Sequence, residues 1–139
     1  MMSIKHVTAQ LEEPYIVTAT SEGFTYTMDY ADRNPEGESL GTSPTGMLLT
    51  ALSGCHAMTA RSFLSGKKIP FSKLIIEING EFTNGRKNWQ LNANVTIKTD
   101  AQLDDREMET MERFVARNCT VSSVLQTGNV ITAQIELIR

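Results

Sequence analysis

Residues 41–66 read GTSPTGMLLTALSGCHAMTARSFLSG, and this stretch decides the fold. Ser43 offers a helix N-cap, and Pro44 suits the first helical position, where no backbone N–H is needed. Met47, Leu48, Leu49, Ala51, Leu52, Cys55, Ala57, Met58, Ala60 and Phe63 then leave little polar surface. A helix apolar on so many sides belongs at the centre of the molecule or at a dimer interface. Gly66 is expected to end it, with Lys67 and Lys68 placing positive charge near the C-terminus.

On the N-terminal side, residues 4–10 and 14–20 carry β-branched, alternating side chains around Glu12, Glu13 and Pro14, and predict a hairpin. Ser21-Glu22-Gly23 reads as a turn. Phe24, Tyr26 and Met28 alternate along a third strand, residues 24–29. Residues 30–43 form a polar loop of a length often tied to function. On the C-terminal side, Leu74, Ile76 and Ile78 mark one strand. Asn84-Gly85 marks the turn, and Trp89, Leu91, Ala93, Val95 and Ile97 share one face of the return strand. Asp104–Arg117 reads as a second long helix, with Asp104 and Glu107 placed as a capping box and Met108, Met111, Phe114 and Val115 as its apolar side. A short segment, Thr120–Leu125, follows Cys119. Gly128 and Asn129 make a turn, and Val130–Ile138 reads as a closing strand. The order βββ-α-ββ-αα-β is that of an α+β domain, expected to span residues 1–139 without an internal linker.

The chain has 139 residues, 40% of them hydrophobic and 21% charged, with a net charge of -3. Those values suit one soluble domain with an adequate core. With no basic stripe, neither nucleic acid nor an anionic membrane is an expected partner. No apolar run reaches the roughly 20 residues that span a bilayer, and Met1–His6 lacks the apolar region of a signal peptide. The expected location is the cytoplasm, where thiols are kept reduced. The two cysteines, Cys55 and Cys119, then read as a reactive pair, part of a metal site, or buried bystanders. Metal is disfavoured, because His6 and His56 are not at ligand spacing and the cysteines are 64 positions apart.

Two segments resemble the OsmC/Ohr family of osmotically induced and organic hydroperoxide resistance proteins. One is Gly41 to Cys55, where a proline opens an apolar helix and a cysteine follows eleven residues after Pro44. The other is Asn118-Cys119-Thr120-Val121-Ser122, similar to the family's Cys-Pro-Val-Ser. The order of elements agrees as well, so the resemblance covers nearly the whole chain. It implies an intertwined homodimer with two long central helices. It also implies thiol-dependent reduction of organic hydroperoxides, and of hydrogen peroxide, without a cofactor. Cys55 would be the attacking thiol and Cys119 the resolving one, with a thiol reductant such as a dihydrolipoyl protein closing the cycle.

This sequence departs from the family in one respect. Many members carry an acidic residue just after the proline, holding an arginine beside the attacking cysteine. Here those positions are Thr45 and Gly46, and the first arginine in the chain is Arg33, which marks a divergent member. The alternative reading is therefore a non-catalytic dimeric binding or structural module on the same fold. A peroxidase must generate a thiolate, which a free cysteine does poorly at neutral pH and a buried one worse. Thr59, one turn beyond Cys55, and Arg33, on the preceding loop, are the candidate supports for that thiolate. His56 points about 100° away from Cys55 on the helix and reads as a helix or interface residue. Cys119, if Thr120–Leu125 is helical, gains from that helix's N-terminus. Met47, Met58, Met108 and Met111 read mostly as core, with the possibility of forming an apolar pocket for an alkyl hydroperoxide.

Overall fold

The computed structural model describes residues 2–33 and 37–138. Two compact units divide at Thr50 and Ala51.

The first unit is built on an antiparallel meander of β1 (Val7–Glu12), β2 (Ile16–Ser21) and β3 (Phe24–Met28). The predicted hairpin forms, beginning at Val7 rather than Ile4. Ser21 pairs with Phe24, which leaves Glu22 and Gly23 as a two-residue turn with φ of 53° and 85°. Positive φ at both positions gives the twist that joins antiparallel strands tightly, and glycine adopts it without strain. Beyond β3 the polar loop opens with a single 3₁₀ turn, Ala31–Arg33. Its return is pinned by Asp29, which is only 2% exposed. The Asp29 carboxylate accepts from the backbone N–H of Tyr30 at 2.7 Å and of Leu40 at 3.1 Å. The Asp29 N–H donates to Thr42 O at 3.1 Å. Gly41 passes so close to β3 that a Cβ would stand 2.1 Å from Thr27 O, so no other residue fits there.

Helix α1 spans Pro44–Gly66, the bounds read from the sequence. Ser43 Oγ accepts from Gly46 N–H at 3.2 Å, which makes it the N-cap. The C-terminus corrects one expectation: Gly66 lies inside the helix, and the left-handed residue that ends it is Lys68, with φ of 58°. Lys68 N–H donates to Ser65 O at 3.1 Å and Ile69 N–H to Leu64 O at 2.9 Å. This is the six-to-one, five-to-two pattern of a Schellman cap. Ile69 then folds back onto the apolar cluster around Leu64, and that contact offsets the strain of a left-handed lysine.

In the second unit β4 (Leu74–Asn84) and β5 (Trp89–Thr99) form a long antiparallel hairpin. One face carries Leu74, Ile76, Ile78 and Phe82 opposite Ile97, Val95 and Leu91, all half-buried. Asp100 ties the open end of this hairpin. Its carboxylate accepts from the backbone N–H of Ser72 and of Lys73, each at 2.9 Å, and from the Ser72 hydroxyl. Those donors hold the Asp100 carboxyl at about 2. Helix α2 (Asp105–Asn118) starts at the predicted capping box, with Asp104 Oδ1 accepting from Glu107 N–H at 2.7 Å and Glu107 Oε1 from Asp104 N–H at 3.2 Å. Helix α3 (Thr120–Gln126) follows after Cys119 alone. The core consists of Ala60, Phe63 and Leu64 of α1 against Met111 and Val115 of α2, roofed by Ile69, Phe71, Leu74, Ile97 and Phe114.

The architecture is α+β, as expected, but two readings need correction. The closing strand predicted over Val130–Ile138 joins neither sheet. Its alternating side chains, Ile131, Ile135 and Leu137, are all largely exposed. A strand needs an edge to bond to and a face to bury, and this segment makes use of neither. Met58, read as core, is 74% exposed. Among the described residues no helix is long and apolar enough to cross a membrane.

Leu64 has no exposed surface. Leu64→Ala is expected to lower stability by about 2–5 kcal/mol, the range for emptying a well-packed aliphatic site. Urea unfolding measures it, and a loss under about 1 kcal/mol would mean that this cluster is not the organising core.

Candidate active site

The middle of α1 and the junction of α2 with α3 bring four side chains of the second unit together: Cys55, His56, Thr59 and Cys119. Both cysteines are free, Cys55 half-buried and Cys119 fully buried. The junction is rigid for a simple reason. Cys119 is at once the C-cap of α2, its N–H donating to Val115 O at 3.0 Å, and the N-cap of α3, its O accepting from Ser123 N–H at 3.0 Å.

The two thiols share hydrogen bonding but not chemistry. Burial pushes the Cys55 thiol up. The backbone N–H of Val121, the Cys119 S–H, the backbone N–H of Thr120 and the Thr59 hydroxyl outweigh that burial, and they hold Cys55 below the ordinary cysteine value. Cys119 moves the other way. Burial raises it first. Its S–H bond to Cys55 and the negative charge there raise it further, against the N–H groups of Ser122 and Val121. Of the two sulfurs, Cys55 is therefore the one that ionises more readily.

The first N–H groups of α3 act on both sulfurs: those of Val121 and Thr120 lower Cys55 from across the site, and those of Ser122 and Val121 favour a thiolate on Cys119, as expected, but are outweighed there by burial and by Cys55. Cys55 sits mid-helix in its own helix and still receives the N–H groups that open another. Thr59 lies beside Cys55: its hydroxyl donates to Cys55 O at 2.7 Å, and the sulfur competes for that same proton. Arg33, the other predicted support, lies in the first unit, with its guanidinium 5.4 Å from the Tyr15 ring centroid and 5.0 Å from that of Tyr30. Both rings bind it by cation–π attraction.

His56 is the residue whose place beside the two thiols sequence reasoning missed. Only 8% exposed, it places Nδ1 3.1 Å from Leu52 O and 3.4 Å from Cys119 Sγ. It pairs with the distant cysteine, not with its neighbour Cys55. Its far side borders a cleft of about 610 Å³, lined also by Trp89, Gln90, Ser122 and Gln126. Among the described residues, no three His, Cys, Asp or Glu side chains cluster as a metal site requires.

The chain is similar to known proteins in sequence and fold. Residues 36–134 match the family model described as OsmC-like protein. A protein named hydroperoxide reductase, from Mycoplasma pneumoniae, is 28% identical over 123 residues, covering 86% of this chain and 85% of its own. Among solved structures, an OsmC-like protein of Mycoplasma pneumoniae superposes with a TM-score of 0.78 at 26% identity, covering 91% of this chain and 89% of that one. The organic hydroperoxide resistance protein OhrB of Bacillus subtilis superposes at 0.69, with 15% identity and coverage of 89% and 91%.

Only a thiolate alkylates rapidly, so the pH at which the Cys55 rate reaches half its plateau reports its pKa. A lowered pKa moves that curve toward lower pH. Iodoacetamide rates should place the Cys55 midpoint below that of a free cysteine. Cys119→Ala, which removes one donor, should shift it upward. A midpoint at or above the free-cysteine value would contradict the donor set described above.

Proposed function

This chain belongs to the OsmC-like protein family, and we propose that it is a thiol-dependent peroxidase acting on organic hydroperoxides. The Cys55 thiolate attacks one oxygen of the peroxide. The O–O bond breaks, the alkoxide leaves and takes up a proton to become the alcohol, and Cys55 keeps the other oxygen as a sulfenic acid. Cys119 then attacks that sulfur. An S–S bond forms as the S–O bond breaks, and the Cys119 proton leaves with the hydroxyl as water. A thiol reductant, such as a dihydrolipoyl group on another protein, restores both thiols by exchange.

The observation that carries this reading is the asymmetric pair itself: one sulfur whose pKa four neighbouring groups lower, hydrogen-bonded to a second sulfur whose pKa is raised. Inert buried cysteines have no need of such an arrangement. In many family members an acidic residue and an arginine activate the thiol. In this reading, with Thr45 and Gly46 in place of the acid, neutral N–H donors from α3 take over much of that task. Thr59 supports the thiolate directly, and Arg33, on the loop before α1, is the cation proposed to accompany it. The cytoplasm, where thiols stay reduced, is the compartment this chemistry requires.

The same reading includes a homodimer. Val130–Ile138 alternates like a strand and exposes its apolar side chains, with Ile131 and Ile135 each 91% exposed. Pairing with a second copy's sheet edge satisfies both its backbone and its apolar face. In sedimentation at micromolar concentration the protein should behave as twice 15.4 kDa, and a chain ending at Asn129 should not. A single full-length species at the monomer mass would contradict the dimer.

The redox chemistry is tested by mass spectrometry of reduced protein after a brief dose of cumene hydroperoxide. Wild type should lose two hydrogens. Cys119→Ser should trap a sulfenic acid on Cys55, and Cys55→Ser should stay unchanged. If all three stay unmodified, the fold serves a non-catalytic binding role instead.

A further inference from the structure

The contact between His56 and Cys119 has no part in the steps above, although both groups are buried and they lie 63 positions apart. The proton on His56 can be assigned. Leu52 O, 3.1 Å from Nδ1, can only accept a hydrogen bond. A bare Nδ1 lone pair facing it would be repelled, so Nδ1 carries the hydrogen. Cys119 Sγ, 3.4 Å from the same nitrogen, is the second acceptor of that one N–H, which it shares with Leu52 O. Toward that N–H the sulfur is an acceptor, and it accepts best as a thiolate.

The timing follows from charge. In the resting pair Cys55 ionises before Cys119, whose S–H then donates to it. Once Cys55 is a neutral sulfenic acid, that charge is gone and Cys119 has to become the nucleophile. When the reductant thiolate later attacks the Cys55 sulfur of the disulfide, Cys119 has to leave with the electron pair of the S–S bond. A leaving thiolate departs faster the better its charge is stabilised. His56 is the one ionisable residue along the cleft that reaches this site, since its other lining side chains are uncharged.

We propose that His56 is a catalytic residue of the resolving half of the cycle, its Nδ1–H holding Cys119 as a thiolate both when it attacks the Cys55 sulfenic acid and when it departs from the disulfide. The proposal rests on the peroxidase reading for its place in the cycle. The donor contact itself does not.

The experiment separates the two. In a Cys55→Ser background, which needs no peroxide, the Cys119 thiolate is titrated by its ultraviolet absorbance with His56, with His56→Gln and with His56→Asn. Asparagine keeps an N–H near the place of Nδ1, whereas the longer glutamine carries its amide past it. Both are polar enough for a buried site with polar neighbours. His56→Gln should raise the midpoint by about one pH unit, as expected for losing a hydrogen bond to a charged group. His56→Asn should restore most of the difference. With Cys55 present, disulfide closure in His56→Gln should slow about tenfold relative to sulfenic acid formation, which is that same unit expressed as thiolate fraction. Equal midpoints in all three proteins would overturn the proposal. If no sulfenic acid forms even in Cys119→Ser, the peroxidase reading falls while the titration still decides whether His56 holds the thiolate.

Discussion

Everything at the two-thiol site depends on the seam between α1 and α2. Phe63 and Leu64 pack on Met111 and Val115, and that packing sets the spacing of both cysteines. Val115 O is the atom that Cys119 N–H caps, so the buried residue of the core and the start of the reactive junction share one hydrogen bond. Cys55 lies little more than two turns up α1 from the same cluster. The core thus acts as a ruler, and the side chains that exclude water also hold two sulfurs in register without any covalent link.

A negative sulfur in such a place is costly unless donors surround it. The chain meets that cost with neutral groups. Two backbone N–H groups of α3, a hydroxyl and a second thiol converge on Cys55. Backbone donors of this kind are fixed by the fold and lose no side-chain entropy when they bind charge, unlike a long arginine brought in from a loop. Arg33 itself is engaged by two tyrosine rings in the first unit. The distinct behaviour of the two cysteines follows from burial, which the donors outweigh at Cys55 and do not outweigh at Cys119.

Much of this was legible from residue types. Ser43 and Pro44 marked the start of α1, Asp104 and Glu107 the start of α2, and the alternation around Asn84-Gly85 the long hairpin. Local chemistry decides such features, so a local pattern reveals them. The failures have the opposite character. Gly66 suggested where α1 ends, but a Schellman cap held by Ile69 on the core tolerated a lysine at the left-handed position instead. The donors to Cys55 come from Thr120 and Val121, and the partner of His56 is Cys119. No spacing rule predicts a contact across more than sixty residues. The last segment, Val130–Ile138, has the pattern of a strand but pairs with neither sheet, and pattern alone cannot supply a partner.

The buried carboxylate of Asp29 carries a further consequence. It closes the base of the loop that leaves β3, bonding the backbone at Tyr30 on the way out and at Leu40 on the way back. With both ends fastened to one side chain, the base of the loop is closed where β3 gives way to the return toward α1. Closing a loop twice as long would cost only about 0.6 kcal/mol more. The connection between Tyr30 and Leu40 can therefore take additional residues, a foreign peptide or a reporter among them, at little cost to that closure.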